Sequence, residues 1–194
     1  VFGPGAPQAA VYNDVCRPVV NEFLDGFNGT VFAYGQTGSG KTYTITGGSG
    51  YDARGLLPRA IQQVFEHCEL NNHKVLSSVR VSYVEIYCEA VYDLLDTSHG
   101  EKGIEGWRKV SLREDVGGAL VLGDLRVFEA RTEADALNLL FLGNVNRVTA
   151  ETPMNPVSSR SHCVFTMTLE QRDRESDVVR SSRLHLVDLA GSER

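Results

Sequence analysis

The chain has 194 residues, 42% hydrophobic and 23% charged, which is the make-up of one domain with a core and not of a disordered tail. No apolar run approaches the length of a membrane span, and no amino-terminal signal pattern is present. The formal net charge of -6 argues against broad nucleic-acid binding, which needs a basic surface.

In chain order, residues 8–27 carry Val11, Val15, Val19, Val20, Phe23 and Leu24 at helical spacing, with Pro18 marking a kink or junction. Asn28, Gly29 and Thr30 match a glycosylation acceptor, but they lead straight into an apolar run and read as a turn. Residues 30–34 (TVFAY) fit a strand buried on both faces. A glycine loop follows at 35–42, and a second, surface loop spans 47–55. Residues 57–70 are amphipathic, with Ile61, Val64, Phe65 and Cys68 on one face. Residues 74–87 predict a long strand, and 89–96 (EAVYDLLD) a helix. A charged, glycine-rich excursion covers 97–109, and strand signals flank Gly117 and Gly118 as in a hairpin. Residues 132–150 form the clearest helix, with Thr132 as N-cap and Glu133 and Asp135 in its first turn. Residues 151–162 are polar, contain two prolines and predict no regular structure. Two strands joined by the charged turn 172–177 close the chain as a hairpin ending at Asp188. The order predicts an α/β layered domain with a mixed central sheet flanked by helices. The four cysteines, Cys16, Cys68, Cys88 and Cys163, lack metal-ligand or disulfide spacing and read as reduced core thiols of a cytosolic protein.

Three stretches carry chemistry. Residues 35–42 read GQTGSGKT, a G-x-x-x-x-G-K-T loop. Its glycines let backbone N–H groups turn inward around phosphate. Lys41 would reach the β- and γ-phosphates, Thr42 would offer its hydroxyl to Mg²⁺, and a helix starting there would add its dipole. Residues 188–191 (DLAG) follow an apolar strand. Asp188 can hold Mg²⁺ through water, and the Gly191 N–H can sense a γ-phosphate. Residues 155–162 (NPVSSRSH) place two adjacent serines, an arginine and a histidine in an irregular segment. A Ser/His nucleophilic pair is rejected there, because no carboxylate or nucleophile elbow accompanies it.

These stretches resemble kinesin motor domains: NPVSSRSH their first switch, DLAGSE their second, and FAYGQTGSGKT their phosphate loop with its leading strand. The segments VSYVEIY, VYDLLD and NRVTAETPMN are similar too, and the resemblance covers essentially the whole chain. The stretches TYTITGG, ALNLLFLGNVNR and AETPMN look most like the ninth kinesin subgroup, tied to cilia and flagella.

The resemblance implies a P-loop NTPase fold and an ATP-hydrolysing, Mg²⁺-dependent, microtubule-stimulated motor of the cytoplasmic cytoskeleton. Gly35, Gln36, Thr37, Gly38, Ser39, Gly40, Lys41 and Thr42 would cradle the phosphates. Tyr43 would pack on adenine, and Asn155 would lie near the bridging oxygens. Thr42, Ser159 and Asp188 would serve the metal, and Ser158 would position the attacking water. Arg160 and Glu193 would latch the two switches, while Gly191 senses the γ-phosphate. A complete kinesin motor domain is far longer than this chain. Residues 1–194 are therefore expected to be its central part, without the first strand and without everything after the start of the second switch. Filament binding, mechanical output, direction and oligomeric state would lie mostly outside. Arg108, Lys109 and Arg113 are candidates for a secondary microtubule contact, although residues 101–115 hold four basic and four acidic side chains. Two other readings are a GTP-binding switch, since D-x-x-G is shared, and a nucleotide-insensitive scaffold. The serine-rich first switch argues against the former and the intact motifs against the latter.

Overall fold

The computed structural model describes residues 1–3, 5–99, 103–118, 120–150, 160–176 and 178–193. Thirteen strand residues in alternating register make β2 (Val75–Tyr87) the spine of the sheet. It pairs antiparallel with β7 (His162–Asp173) along nearly its whole length, and β7 pairs antiparallel with β8 (Val179–Asp188). β1 (Gly29–Ala33) lies parallel to β8, with Ala33 beside Asp188. On the other side of β2 come β3 (Ala90–Asp93), β4 (Lys109–Glu114) and β5 (Leu120–Gly123), while β6 (Phe128–Ala130) pairs with residues 79–81 of β2. The sheet is mixed, as the sequence predicts.

The helices pack on one face. α1 (Gln8–Val11) and α2 (Arg17–Leu24) are joined without a break by a π-helical turn at Tyr12–Cys16. Pro18 explains that turn. It has no N–H to give and its ring would strike the carbonyl four residues back, so the widened turn ahead of it keeps the helix continuous where a kink is expected. The loop after β1 leads into the short α3 (Lys41–Ile45), followed by α4 (Leu56–Asn71) and α5 (Glu133–Ala150). Phe23, Leu57, Ile61, Val64, Ala136 and Leu140 meet the inward side chains of the sheet, among them Val81, Phe165, Met167, Leu184 and Leu186. The opposite face carries a much smaller cluster around Val84, Val91 and Val110. No helix among the described residues is long and apolar enough to cross a membrane.

Four expectations change. Residues 89–96 are not helical: Cys88 and Glu89, both at positive φ, turn β2 back into β3, and cross-strand pairing overrides the helix-forming residues. β1 is buried on one face only. Phe32 is 62% exposed, because no helix among the described residues covers its side of the sheet. The excursion after β3 is only partly solvated: His99 and Trp107 are buried and their rings stack 3.9 Å apart, and His99 Nε2 lies 2.8 Å from the Asp93 carbonyl. All four cysteines are free. Burial pushes the Cys16 thiol up to about 12, and Cys163 is buried as well, whereas Cys88 sits exposed at the β2–β3 turn and is no core thiol.

Candidate nucleotide site

Parallel pairing of β1 with β8 sets the site. Both strands end side by side, so the glycine loop leaves β1 next to Asp188. The loop then turns into α3 through Gly40, whose φ of 90° is a left-handed conformation that side chains resist. α3 is only five residues long before the surface loop interrupts it, so the helix dipole expected behind the loop is small. Gln36, Thr37, Gly38 and Ser39 are exposed. Lys41 Nζ donates to the carbonyls of Gly35 and Gln36, at 2.9 Å each. Tyr43 is 55% exposed, and its carbonyl accepts a hydrogen bond from Gln8.

Two of the predicted metal-site residues meet. Thr42 Oγ1 donates to Asp188 Oδ2 at 2.7 Å across a separation of 146 residues. Arg147 Nη1 donates to the same oxygen at 2.9 Å. Arg147 also lies 3.8 Å from Glu85 Oε1, which accepts the Ser161 hydroxyl at 2.6 Å. Glu85, Arg147 and Asp188 are all buried. Burial alone would favour a neutral guanidine, but the surrounding Cys163, Tyr83 and Asp188 outweigh it and hold Arg147 charged. Asp188 Oδ1 is buried with no hydrogen-bond partner among the described residues. A hydroxyl and a carboxylate with a free buried oxygen beside a phosphate loop fit a hard divalent cation.

The segment after β8 is fixed to the same loop. Ala190 N–H donates to His162 Nδ1 at 3.1 Å, and Ser192 N–H donates to the Gly35 carbonyl at 3.1 Å. The Glu193 carboxylate accepts the Thr37 N–H at 2.9 Å and the Thr37 hydroxyl. Those hydrogen bonds, the Thr37 hydroxyl first, hold its carboxyl below the usual carboxylate range. Gly191 lies against both groups. No ion pair joins Arg160 to Glu193 among the described residues: Arg160 is exposed in the turn before β7, and Glu193 is engaged by the loop. Asn155, Ser158 and Ser159 lie outside the described residues. Of the proposed filament contacts, Arg108 pairs with Asp124 at 3.2 Å, and Lys109 and Arg113 are exposed on β4.

Sequence reasoning missed Glu85, Arg147, Ser161 and His162. A signal existed for two of them. Glu85 continues the inward series Val79, Val81, Tyr83 of β2, and Arg147 continues the stripe Ala136, Leu140, Gly143 of α5. A charge in line with a buried stripe needs a buried partner.

Comparison with known proteins completes the picture. The model of the kinesin motor domain family matches residues 1–194. The chain is 45% identical to human kinesin-like protein KIF9 over 193 residues, covering 97% of this chain and 24% of that protein. It is 40% identical to kinesin-related protein 3 of Dictyostelium discoideum, covering 100% of this chain and 16% of that one. Among solved structures it superposes with a fast kinesin at a TM-score of 0.91 and 35% identity, over 100% of this chain and 53% of that chain. The chain thus spans about a quarter or less of the length of these curated relatives.

Proposed function

This chain belongs to the kinesin motor-domain family, and on that premise we propose that it forms the ATP-binding and ATP-hydrolysing core of a microtubule-based motor. One observation carries the reading. Thr42 of the glycine loop and Asp188 of the D-L-A-G segment share a hydrogen bond at the loop's mouth, so two motifs far apart in sequence form one site.

In this reading the backbone of residues 35–40 cradles the phosphates, and Lys41 turns from the loop's own carbonyls to the β- and γ-phosphates. Thr42 and Asp188 would hold Mg²⁺, and Ser159 would join them. When bound, the ion neutralises charge on the phosphate oxygens. Arg147 keeps Asp188 oriented through its hydrogen bond to Oδ2. Ser158 orients the attacking water, and Asn155 stands by the bridging oxygens. Gly191 senses the γ-phosphate through its N–H, and Arg160 pairs with Glu193 when the two switches close. Phosphoryl transfer asks for this kind of positioning and charge neutralisation, not covalent help. Tyr43, exposed beside the loop, packs on the adenine.

The partner is the microtubule, reached mostly through parts of the protein beyond residues 1–194, which form the central part of the motor domain. Its place is the cytoskeleton, with the cilium or flagellum as the location the subgroup resemblance implies. The test is steady-state ATPase activity of the full-length protein with and without microtubules. Stimulation by microtubules is expected, and an ATPase indifferent to them contradicts the reading.

A further inference from the structure

We propose that Glu193 is a tethered occupant of the phosphate loop, held there by Thr37 as its positioning residue, and that nucleotide phosphate must displace it to bind. The inference rests on the nucleotide reading of the loop.

A loop of this kind binds anions through backbone N–H groups. In this structure the Thr37 N–H is taken by Glu193 Oε2 at 2.9 Å, and the Thr37 hydroxyl by Oε1. Both oxygens of one carboxylate thus engage both donors of one loop residue, as two oxygens of a phosphate could. The approach needs glycine at 191. A Cβ there would run into the Glu193 carboxylate and the Thr37 hydroxyl together. Ser192 fastens the segment from the other side through the Gly35 carbonyl. Lys41 is folded on the carbonyls of Gly35 and Gln36, close enough for its charge to favour the Glu193 carboxylate. The loop is therefore closed on an internal anion by contacts at Gly35, Thr37 and Gly191.

One N–H cannot serve Glu193 and a phosphate oxygen in the same way at once. Binding must lift residues 191–193 off the loop, and the measured affinity is reduced by the fraction of molecules in which the loop is open. Release also frees the carboxylate for a cation elsewhere. The same residue then serves as occupant before nucleotide arrives and as half of the Arg160 latch afterwards.

The experiment is an equilibrium titration and an association-rate measurement with fluorescently labelled ADP and Mg²⁺, on the full-length protein. Wild type, Glu193→Gln and Glu193→Ala are compared. Glu193 is exposed, so neither variant threatens the fold. Glu193→Ala is expected to bind about threefold or more tighter than wild type and to associate faster, because the competing state is gone. Glu193→Gln, which keeps an acceptor for the Thr37 N–H but loses the charge, is expected to fall between. If wild type binds ADP and Glu193→Ala binds no tighter, the proposal is overturned and the nucleotide reading stands. If wild type takes no ADP, the nucleotide reading falls and this proposal with it.

Discussion

The same three strands, β2, β7 and β8, end in opposite ways. At the end beside the glycine loop they bury charge: Glu85 and Asp188 are enclosed around Arg147, and each is placed by the inward register of its strand. At the other end the β7–β8 turn carries Arg172, Asp173, Arg174 and Glu175 in the open, and Leu76 and Val179 are exposed beside them. The alternation that puts Leu169 and Met167 in the core puts charge there only at the first end. Burying two carboxylates and a guanidinium costs desolvation that apolar side chains would not incur. The cost is met where it fixes the Asp188 carboxylate next to Thr42, and nothing at the turn demands it. α5 spans the two regimes, since it starts at an exposed cap and carries Arg147 in its last turn.

Arg147→Met should break this contrast most strongly. It leaves two buried carboxylates without their cation and should cost about 3–5 kcal/mol in chemical denaturation, with Arg147→Lys recovering part of it. A loss no larger than that of a surface mutation would mean the buried cluster contributes nothing. At the far end of the same helix, Thr132 Oγ1 accepts the Asp135 N–H at 3.1 Å. Thr132→Ala should therefore cost about 1 kcal/mol, read as a modest fall in melting temperature.

The reciprocal contact depends on pH. The N–H of Arg131, together with Thr132, holds the Asp135 carboxyl below its ordinary range. A carboxyl depressed by folding adds stability above its unfolded value and loses it as pH falls through its folded value. Asp135→Asn should therefore be less stable than wild type at pH 7, and the two should converge in acid. A difference that persists unchanged in acid would show that the charge is not the cause. Smallest of all, Arg80→Ala removes an exposed pair with Glu170, 3.0 Å apart with both side chains more than 40% exposed. It should change stability by about 0.5 kcal/mol or less, and a larger loss in the same denaturation measurement would place an unsuspected structural role on the exposed face.

How much of this was legible beforehand follows the same division. Long elements with strict periodicity, namely β2, the β7–β8 hairpin and α5 with its cap, stand in the sequence because their spacing is set by burial on one face. The glycine loop and Asp188 were legible as chemistry, but the parallel pairing of β1 with β8 that joins them was not, because an apolar strand does not name its neighbour. The turn at Cys88 and Glu89 was not legible: both adopt positive φ without the glycine or asparagine that announces such a turn, so Glu89, Ala90 and the two leucines read as helix. Phe32 misled because a wholly apolar run implies two covered faces, whereas among the described residues helices cover only one face of β1. Glu85 and Arg147 were hidden because their meaning lies in a contact between a strand and a helix 62 positions apart in the chain, and neither side of it has a motif of its own. The hold of Glu193 on Thr37 depends on tertiary placement in the same way.

The measurement that bears most directly on the central claim is the dissociation constant of Mg·ADP for the full-length protein, wild type against Lys41→Ala. Lys41 lies in the loop with no part in the core, so the variant should fold and yet bind about tenfold or more weakly, for loss of a charged contact to phosphate. Equal affinity in the two proteins, or no binding by wild type, would contradict the assignment of residues 35–42 and 188–193 to one nucleotide site.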